Sequence, residues 1–352
     1  KIINKMWKLH APSPQLITWY KNKMLAGLCT RIKQVDKNGP LLEDRIQEIL
    51  IPDNPDGSKN YTVLERLLTD KPVVLHTFCD NLMKQIIPGY NENEFENYLD
   101  AKKKRKRTNA EQQLYKKYSE TFDRLLKAFD YKGQLSSSKN RSYELTIKQG
   151  HNTCTYCNRQ YVITIGGDND APQIARPELD HWYSKELFPL MSLSIYNLIP
   201  SCSICNSSIK GNTIFRLSTH VHPYLDSTPE EPTFKFRYKL NPNKKWTIVI
   251  DNLVDPKEKN MVEAFKLEEI YSYHGELEAK DILLFKYQNS DAYLKYLLKN
   301  LLQHYKYTEQ DVYRMFFCAD LESKNNLDRP FSKLKRDILT QLGLLTNGRF
   351  KL

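Results

Sequence analysis

The chain runs to 352 residues and carries 53 Lys and Arg against 42 Asp and Glu, a net charge of +11. Its 40% hydrophobic content, with 14 Phe and 22 Tyr, suffices for a buried core and excludes a wholly disordered chain. No stretch approaches the roughly 18 apolar residues that cross a bilayer, Lys1–Met6 lacks the apolar core of a signal peptide, and the positive excess favours a polyanionic partner, nucleic acid before an anionic membrane surface.

The first third reads helical. Leu41–Leu50 is a short amphipathic candidate, stopped by Pro52 and the Asn-Pro-Asp-Gly turn at 54–57. Lys102–Arg107 is an unbroken basic run that either tracks a phosphate backbone or forms a solvated connection. The spacing of Leu114, Tyr118, Phe122, Leu125, Leu126 and Phe129 predicts a helix over 109–129. Ser136–Ser142 is a loop by composition and marks a first boundary. A strand-like piece at 160–165 and a Gly/Asp/Pro loop at 166–172 follow. Alternating runs at 233–240 and 246–250 around Asn241-Pro242-Asn243 predict a hairpin. Helical periodicity returns at 292–305 and 331–344. The expected class is α+β: a helical region over 1–135, a small β-containing core over 136–226, and a β-hairpin plus helices over 227–352.

Of seven cysteines, Cys29, Cys79 and Cys318 stand alone. The others form Cys154-Thr155-Tyr156-Cys157 and Cys202-Ser203-Ile204-Cys205, two pairs that can close a tetrahedral zinc site. The interval between them exceeds that of a simple zinc ribbon, so zinc would tie together the ends of an inserted unit. Four thiolates saturate zinc and leave no open position, which makes the expected role structural. An odd count with four cysteines at metal spacing points to a reduced, cytoplasmic protein, not a disulfide scaffold.

Between the pairs lie Glu178-Leu179-Asp180-His181-Trp182 and Tyr196-Asn197-Leu198-Ile199-Pro200-Ser201, and the second pair runs on into Asn206 and Lys210-Gly211-Asn212. Cutting a phosphodiester needs an activated water, a cation against the developing charge, and in-line placement. Asp180 offers a hard oxygen ligand suited to Mg²⁺ or Mn²⁺. His181 can take a proton near neutral pH. Asn206, beside the last zinc cysteine, can offer its amide oxygen to the same cation. His151 and His222 are either second-layer groups or satisfied core histidines, and Trp182 and Tyr183 either stack on bases or belong to the core.

In its order of Cys-x-x-Cys, Asp-His, Asn, Cys-x-x-Cys-Asn and Lys, the stretch 154–212 resembles the HNH, or ββα-metal, endonucleases. The resemblance implies a zinc-braced core inserted between helical flanks: a strand with Asp180-His181, a return strand near 197–200 and a helix from about Asn206. It also implies His181 as general base, Asp180 and Asn206 as cation ligands, and Asn197 as a clamp on the loop that holds the base. Lys210 follows Asn206 by four residues where the family often has three; it is expected as a phosphate contact. Cys-Thr-Tyr-Cys-Asn-Arg and Asn-Leu-Ile-Pro-Ser-Cys look like the HNH nucleases of bacterial antiphage defence, Septu-like systems in particular. That similarity implies a defence effector working on DNA in preference to RNA beside a P-loop ATPase; this chain has no G-x-x-x-x-G-K-[ST] loop of its own. The rival expectation is a zinc-braced nucleic-acid-binding module with a decayed catalytic set.

Overall fold

A computed structural model describes residues 6–137, 140–167, 171–211, 213–229, 231–322, 327–346 and 349–350. Ser138 and Lys139 of the expected boundary loop, part of the 166–172 loop, and Asn212 lie outside the described residues. Among the described residues the architecture is α+β, with helices around four separate two-stranded antiparallel ladders. No described helix is long and apolar enough to cross a membrane.

The first region is helical, as its periodicity demands. Ser13 caps α1 (Pro14–Ile32) by accepting the Leu16 N–H, and Leu16, Tyr20, Met24, Leu28 and Ile32 form its buried stripe at i+4 spacing. A minimal hairpin, β1 (Val35–Asp36) with β2 (Gly39–Pro40), leads to α2 (Asp44–Leu50), α3 (Thr62–Thr69), α4 (Pro72–Ile86) and α5 (Glu92–Lys103). The expected long helix is α6 (Asn109–Ala128), opened by a Thr108/Glu111 capping box and buried along Tyr118, Phe122, Leu125 and Ala128. Much of the basic run is used internally between α5 and α6. Lys102 pairs with Asp123 at 2.5 Å and Lys104 with Glu111 at 2.5 Å, while the Arg107 guanidinium bonds the Ala101 carbonyl and lies over the Tyr115 ring. A wide helical turn (Lys132–Ser136) and α7 (Arg141–Gln149) complete the region.

In the centre, β3 (Glu178–His181) pairs antiparallel with β4 (Leu198–Ser201), placing Asp180 opposite Ile199 and His181 opposite Leu198. Pro200 is tolerated because each strand of a two-stranded ladder is an edge. A wide helical turn with i→i+5 bonding (Ile204–Lys210) follows. The strand expected at 160–165 is not continuous. Only isolated bridges, Thr153 to Tyr161 and Ile165 to Ala175, join it to its neighbours among the described residues.

The C-terminal hairpin, β5 (Lys235–Leu240) with β6 (Trp246–Asp251), stands where expected. Beyond it run α8 (Pro256–Ala264), α9 (Leu267–Ser272), α10 (Lys280–Gln288), α11 (Asp291–Lys299), α12 (Glu309–Phe317) and α13 (Ser332–Gln341), then β7 (Leu345–Thr346) with β8 (Arg349–Phe350). The helix expected over 292–305 gives way after Lys299 to a wide turn (Asn300–His304). The one expected to reach 344 stops early because Gly343, at φ +70°, turns the chain so that Leu344 N–H bonds the Leu339 carbonyl.

Both flanking regions grip the centre. Trp7 donates its backbone N–H to Thr155 O and its indole N–H to Tyr156 O, the Tyr20 hydroxyl bonds Leu193 O, and Tyr271 bonds Cys157 O. His151 and His222 are core histidines: burial pushes their imidazoles down from 6.5, to about 4 and about 3. Unfolding lets both take up protons at their ordinary value, so the unfolded chain binds more protons wherever pH is below about 6.5. Each then removes up to about 1.4 kcal/mol per pH unit as pH falls toward its folded value. Calorimetry should show Tm dropping from pH 6.5 to 4, and His222→Asn, which keeps an acceptor for Tyr224 N–H, should flatten that slope.

Candidate active site and metal centre

The two Cys-x-x-Cys turns meet. Cys154, Cys157, Cys202 and Cys205 are buried with their sulfurs all within 4.8 Å of one another, Cys157 and Cys202 at 4.0 Å. Sulfurs held about 2.3 Å from a tetrahedral zinc stand roughly 3.8 Å apart, so the cluster can hold zinc. The thiols also divide in charge preference. Hydrogen bonds from Cys154 and the other two thiols pull Cys202 strongly down, and the same contacts push Cys205 strongly up. A divalent cation is what allows all four to ionise together. The first turn closes through Asn158, which takes a left-handed φ of +47° and returns its N–H to Cys154 O at 2.9 Å.

Both middle residues of that turn reach the β3–β4 ladder. Thr155 gives its N–H and its hydroxyl to Pro200 O in β4, at 3.3 and 2.7 Å. Tyr156 gives its hydroxyl to Asp180 Oδ2 in β3 at 2.6 Å. The other carboxylate oxygen, Oδ1, accepts from Lys210 Nζ at 2.8 Å, and the same ammonium donates to His181 O at 2.6 Å. This ion pair is shut away from water, with the Lys210 and Asp180 side chains 2% and 3% exposed. Lys210 is therefore turned inward onto Asp180, not outward as the expected phosphate contact.

His181 is partly buried, its ring edge-to-face with Tyr131 at 4.4 Å between centroids. Its Nε2 lies 2.9 Å from Ser192 O. A carbonyl only accepts, so Nε2 carries the proton and, in the neutral ring, Nδ1 keeps a free lone pair. Burial pushes the imidazole down to about 4, against a smaller opposing pull from the Ser192 carbonyl, so the ring is neutral at pH 7. Asn197 does not face this ring. It clamps the intervening loop, with Oδ1 accepting Tyr183 N–H at 2.6 Å and Nδ2 donating to Tyr183 O and Met191 O, each at 3.0 Å. Ser192, one residue beyond Met191, is fastened in turn by its hydroxyl to Phe129 O at the end of α6.

Asn206 donates Nδ2 to Glu178 Oε2 at 2.8 Å, which leaves Oδ1 as its open acceptor. Glu178 also accepts from Ser207 Oγ at 2.8 Å. Asp180, His181, Asn206 and Lys210 thus share one open polar cleft of about 530 Å³ with Glu178, Tyr131, Arg176 and Lys185.

No family model, no curated protein and no solved structure gives a significant match to this chain.

Glu178, Tyr131, Ser192, Arg176 and Lys185 were not singled out from sequence. Glu178 carries a local signal, since positions i and i+2 of a strand share a face and it precedes Asp180 by two. Tyr131 and Ser192 carry none; each is brought to His181 by packing. Trp182 and Tyr183 are fully buried core aromatics, the first bonded through its indole to Val221 O.

Metal analysis of the purified chain should give about one zinc. Replacing any of the four cysteines by Ser should cost several kcal/mol, because structural zinc contributes folding free energy directly. A folded, zinc-free protein of unchanged Tm would overturn the assignment.

Proposed function

We propose that this chain is an HNH-type endonuclease that hydrolyses phosphodiester bonds of nucleic acid, DNA in preference to RNA, with Mg²⁺ or Mn²⁺. The observation that carries the reading is the cleft: a neutral imidazole whose Nδ1 is free, flanked by Asp180, Glu178 and the open amide oxygen of Asn206. The strand, loop, return strand and helical turn behind it are fastened by the cysteine cluster. When bound, the cation stabilises charge on the phosphate and the leaving oxygen. Asp180 and Asn206 Oδ1 would hold it, and Glu178 fixes the Asn206 amide so that its oxygen and not its nitrogen faces the cleft. His181 Nδ1 takes the proton of the attacking water, while the Ser192 carbonyl keeps Nε2–H in place and so keeps the base lone pair on Nδ1. Arg176 and Lys185 open on the cleft without a carboxylate partner among the described residues, and both suit the flanking phosphates.

Resemblance to defence nucleases extends the proposal to a cytoplasmic antiphage effector governed by a P-loop ATPase. The rival reading, a zinc-braced nucleic-acid-binding module with a spent catalytic set, draws support from one observation. Asp180 is already neutralised by Lys210.

Cleavage of plasmid and oligonucleotides with Mg²⁺ against EDTA, with and without the partner ATPase, separates the two readings. His181→Ala should lower cleavage by about 10²–10⁴-fold, the usual contribution of a general base, with zinc content and DNA affinity retained. Because burial holds His181 near 4, the acid limb of the pH–rate profile should fall near 4 and not near 6.5. Asn197→Ala should cost less and worsen with temperature, since it only loosens the 183–192 loop. Wild-type cleavage by His181→Ala, or no cleavage of any substrate with the partner present, would defeat the nuclease reading.

A further inference from the structure

We propose that Lys210 is an internal stand-in for the catalytic cation, holding Asp180 until a divalent ion displaces it and frees the ammonium for the substrate phosphate. The inference rests on the nuclease reading above and adds to it an exchange at Asp180.

Asp180 is a two-oxygen acceptor with both oxygens engaged: Oδ2 by the Tyr156 hydroxyl and Oδ1 by Lys210. The two holders differ. The tyrosine is neutral, fully buried and fixed by stacking on Phe265 at 4.1 Å between centroids. Its bond orients the carboxylate without cancelling its charge. Lysine is a point charge on a four-carbon stem and does cancel it. A divalent ion on the second lone pair of Oδ1 would meet that ammonium across a shared oxygen, where side chains only 2% and 3% exposed leave little water to screen the repulsion. That repulsion drives one of the two away. The ammonium is the mobile one, because Lys210 ends its helical turn beside Gly211, and both residues line the cleft. A Cβ placed on Gly211 would meet nothing within 4 Å, so the backbone there has open space around it.

An unpaired buried charge is strongly destabilising, and Lys210 supplies a counter-charge to Asp180. Once displaced into the cleft, the ammonium lies on the side of Arg176 and Lys185, where a phosphodiester would need it. The phosphate contact expected from sequence then belongs to the cation-loaded state, and the inward pairing to the resting one.

The wild-type protein can be tested directly, using Mn²⁺ as the probe on the zinc-loaded chain. Lys210 should be nearly inert to an amine-acylating reagent without Mn²⁺ and should become acylated as Mn²⁺ is added, read by peptide mass spectrometry against other lysines. In parallel, Mn²⁺ binding is measured by calorimetry. Lys210→Met removes the competitor and should tighten Mn²⁺ by about tenfold, within the span of ordinary coupling between two ligands. Lys210→Arg keeps a cation and should not tighten it. Asp180→Asn should abolish Mn²⁺ binding in every background. Unchanged acylation of Lys210 on saturation with Mn²⁺ would overturn the exchange, as would a folded Lys210→Met protein that binds Mn²⁺ no tighter than wild type. If neither wild type nor Lys210→Met binds Mn²⁺ through Asp180, the exchange and the cation-dependent nuclease reading fall together. If wild type binds Mn²⁺ through Asp180 and cleaves while Lys210 stays inert, only the exchange falls.

Discussion

Four buried thiols bring residues 154–157 against residues 202–205, and the geometry of the cleft hangs on that closure. The cysteines carry the turns, but the residues between and after them do the aiming. Thr155 locks the first turn onto β4, and Tyr156 reaches past it to Asp180 in β3. From the second turn the chain winds through Asn206 to Lys210, which returns to the same carboxylate. Asp180 is therefore gripped from both halves of the cysteine cluster. A disturbance at the sulfurs reaches Asp180 through a single hydroxyl on one side and one helical turn on the other.

The closure also sets the spacing of the second turn. Lys210 follows Asn206 by four residues. The turn between them is wide, with Gly211 N–H bonded back to Asn206 O, and an i→i+5 turn accommodates one residue more per revolution than an α-helix does. Asn206 and Lys210 therefore line the same cleft. Such wide turns cluster where side chains are aimed for function, and this one aims a cation and an amide at β3.

How much of this was legible in the sequence follows from the range of each interaction. The cysteine pairs could be read because they depend on spacing along a short stretch, whereas the Asp180-His181 strand, the return strand near 197–200 and the Asn197 clamp were expected only from the resemblance. The long helix α6 was readable to within a residue because its stripe and its capping box agree. What the sequence hid are contacts whose partners meet only through packing: Tyr131 over His181, Ser192 O behind it, and Tyr156 beneath Asp180. The inward turn of Lys210 was hidden for another reason. A lysine near a proposed phosphate site reads as a surface cation, and only burial shows that it faces a carboxylate. The 160–165 segment misled because alternation marks a half-buried chain, yet only a continuous partner makes it a strand; here the neighbours meet it at single bridges.

The surroundings of His181 are set partly outside the central region. Its proton affinity is lowered chiefly by burial, and part of that cover is Tyr131, which belongs to the helical region. The carbonyl that fixes its tautomer sits in a loop fastened to Phe129 by Ser192 and to Tyr20 by Leu193. An imidazole near 4 is wholly unprotonated at neutral pH but would be a weak general base, since Brønsted behaviour favours a pKa close to the working pH. Bringing an anionic phosphate beside the ring favours imidazolium, whereas a cation on Asp180 opposes it. Lys210 is one of the positive charges that hold the ring low. On the proposed reading, substrate and cation both act on this one imidazole, which the helical flank covers and orients through Tyr131 and Phe129.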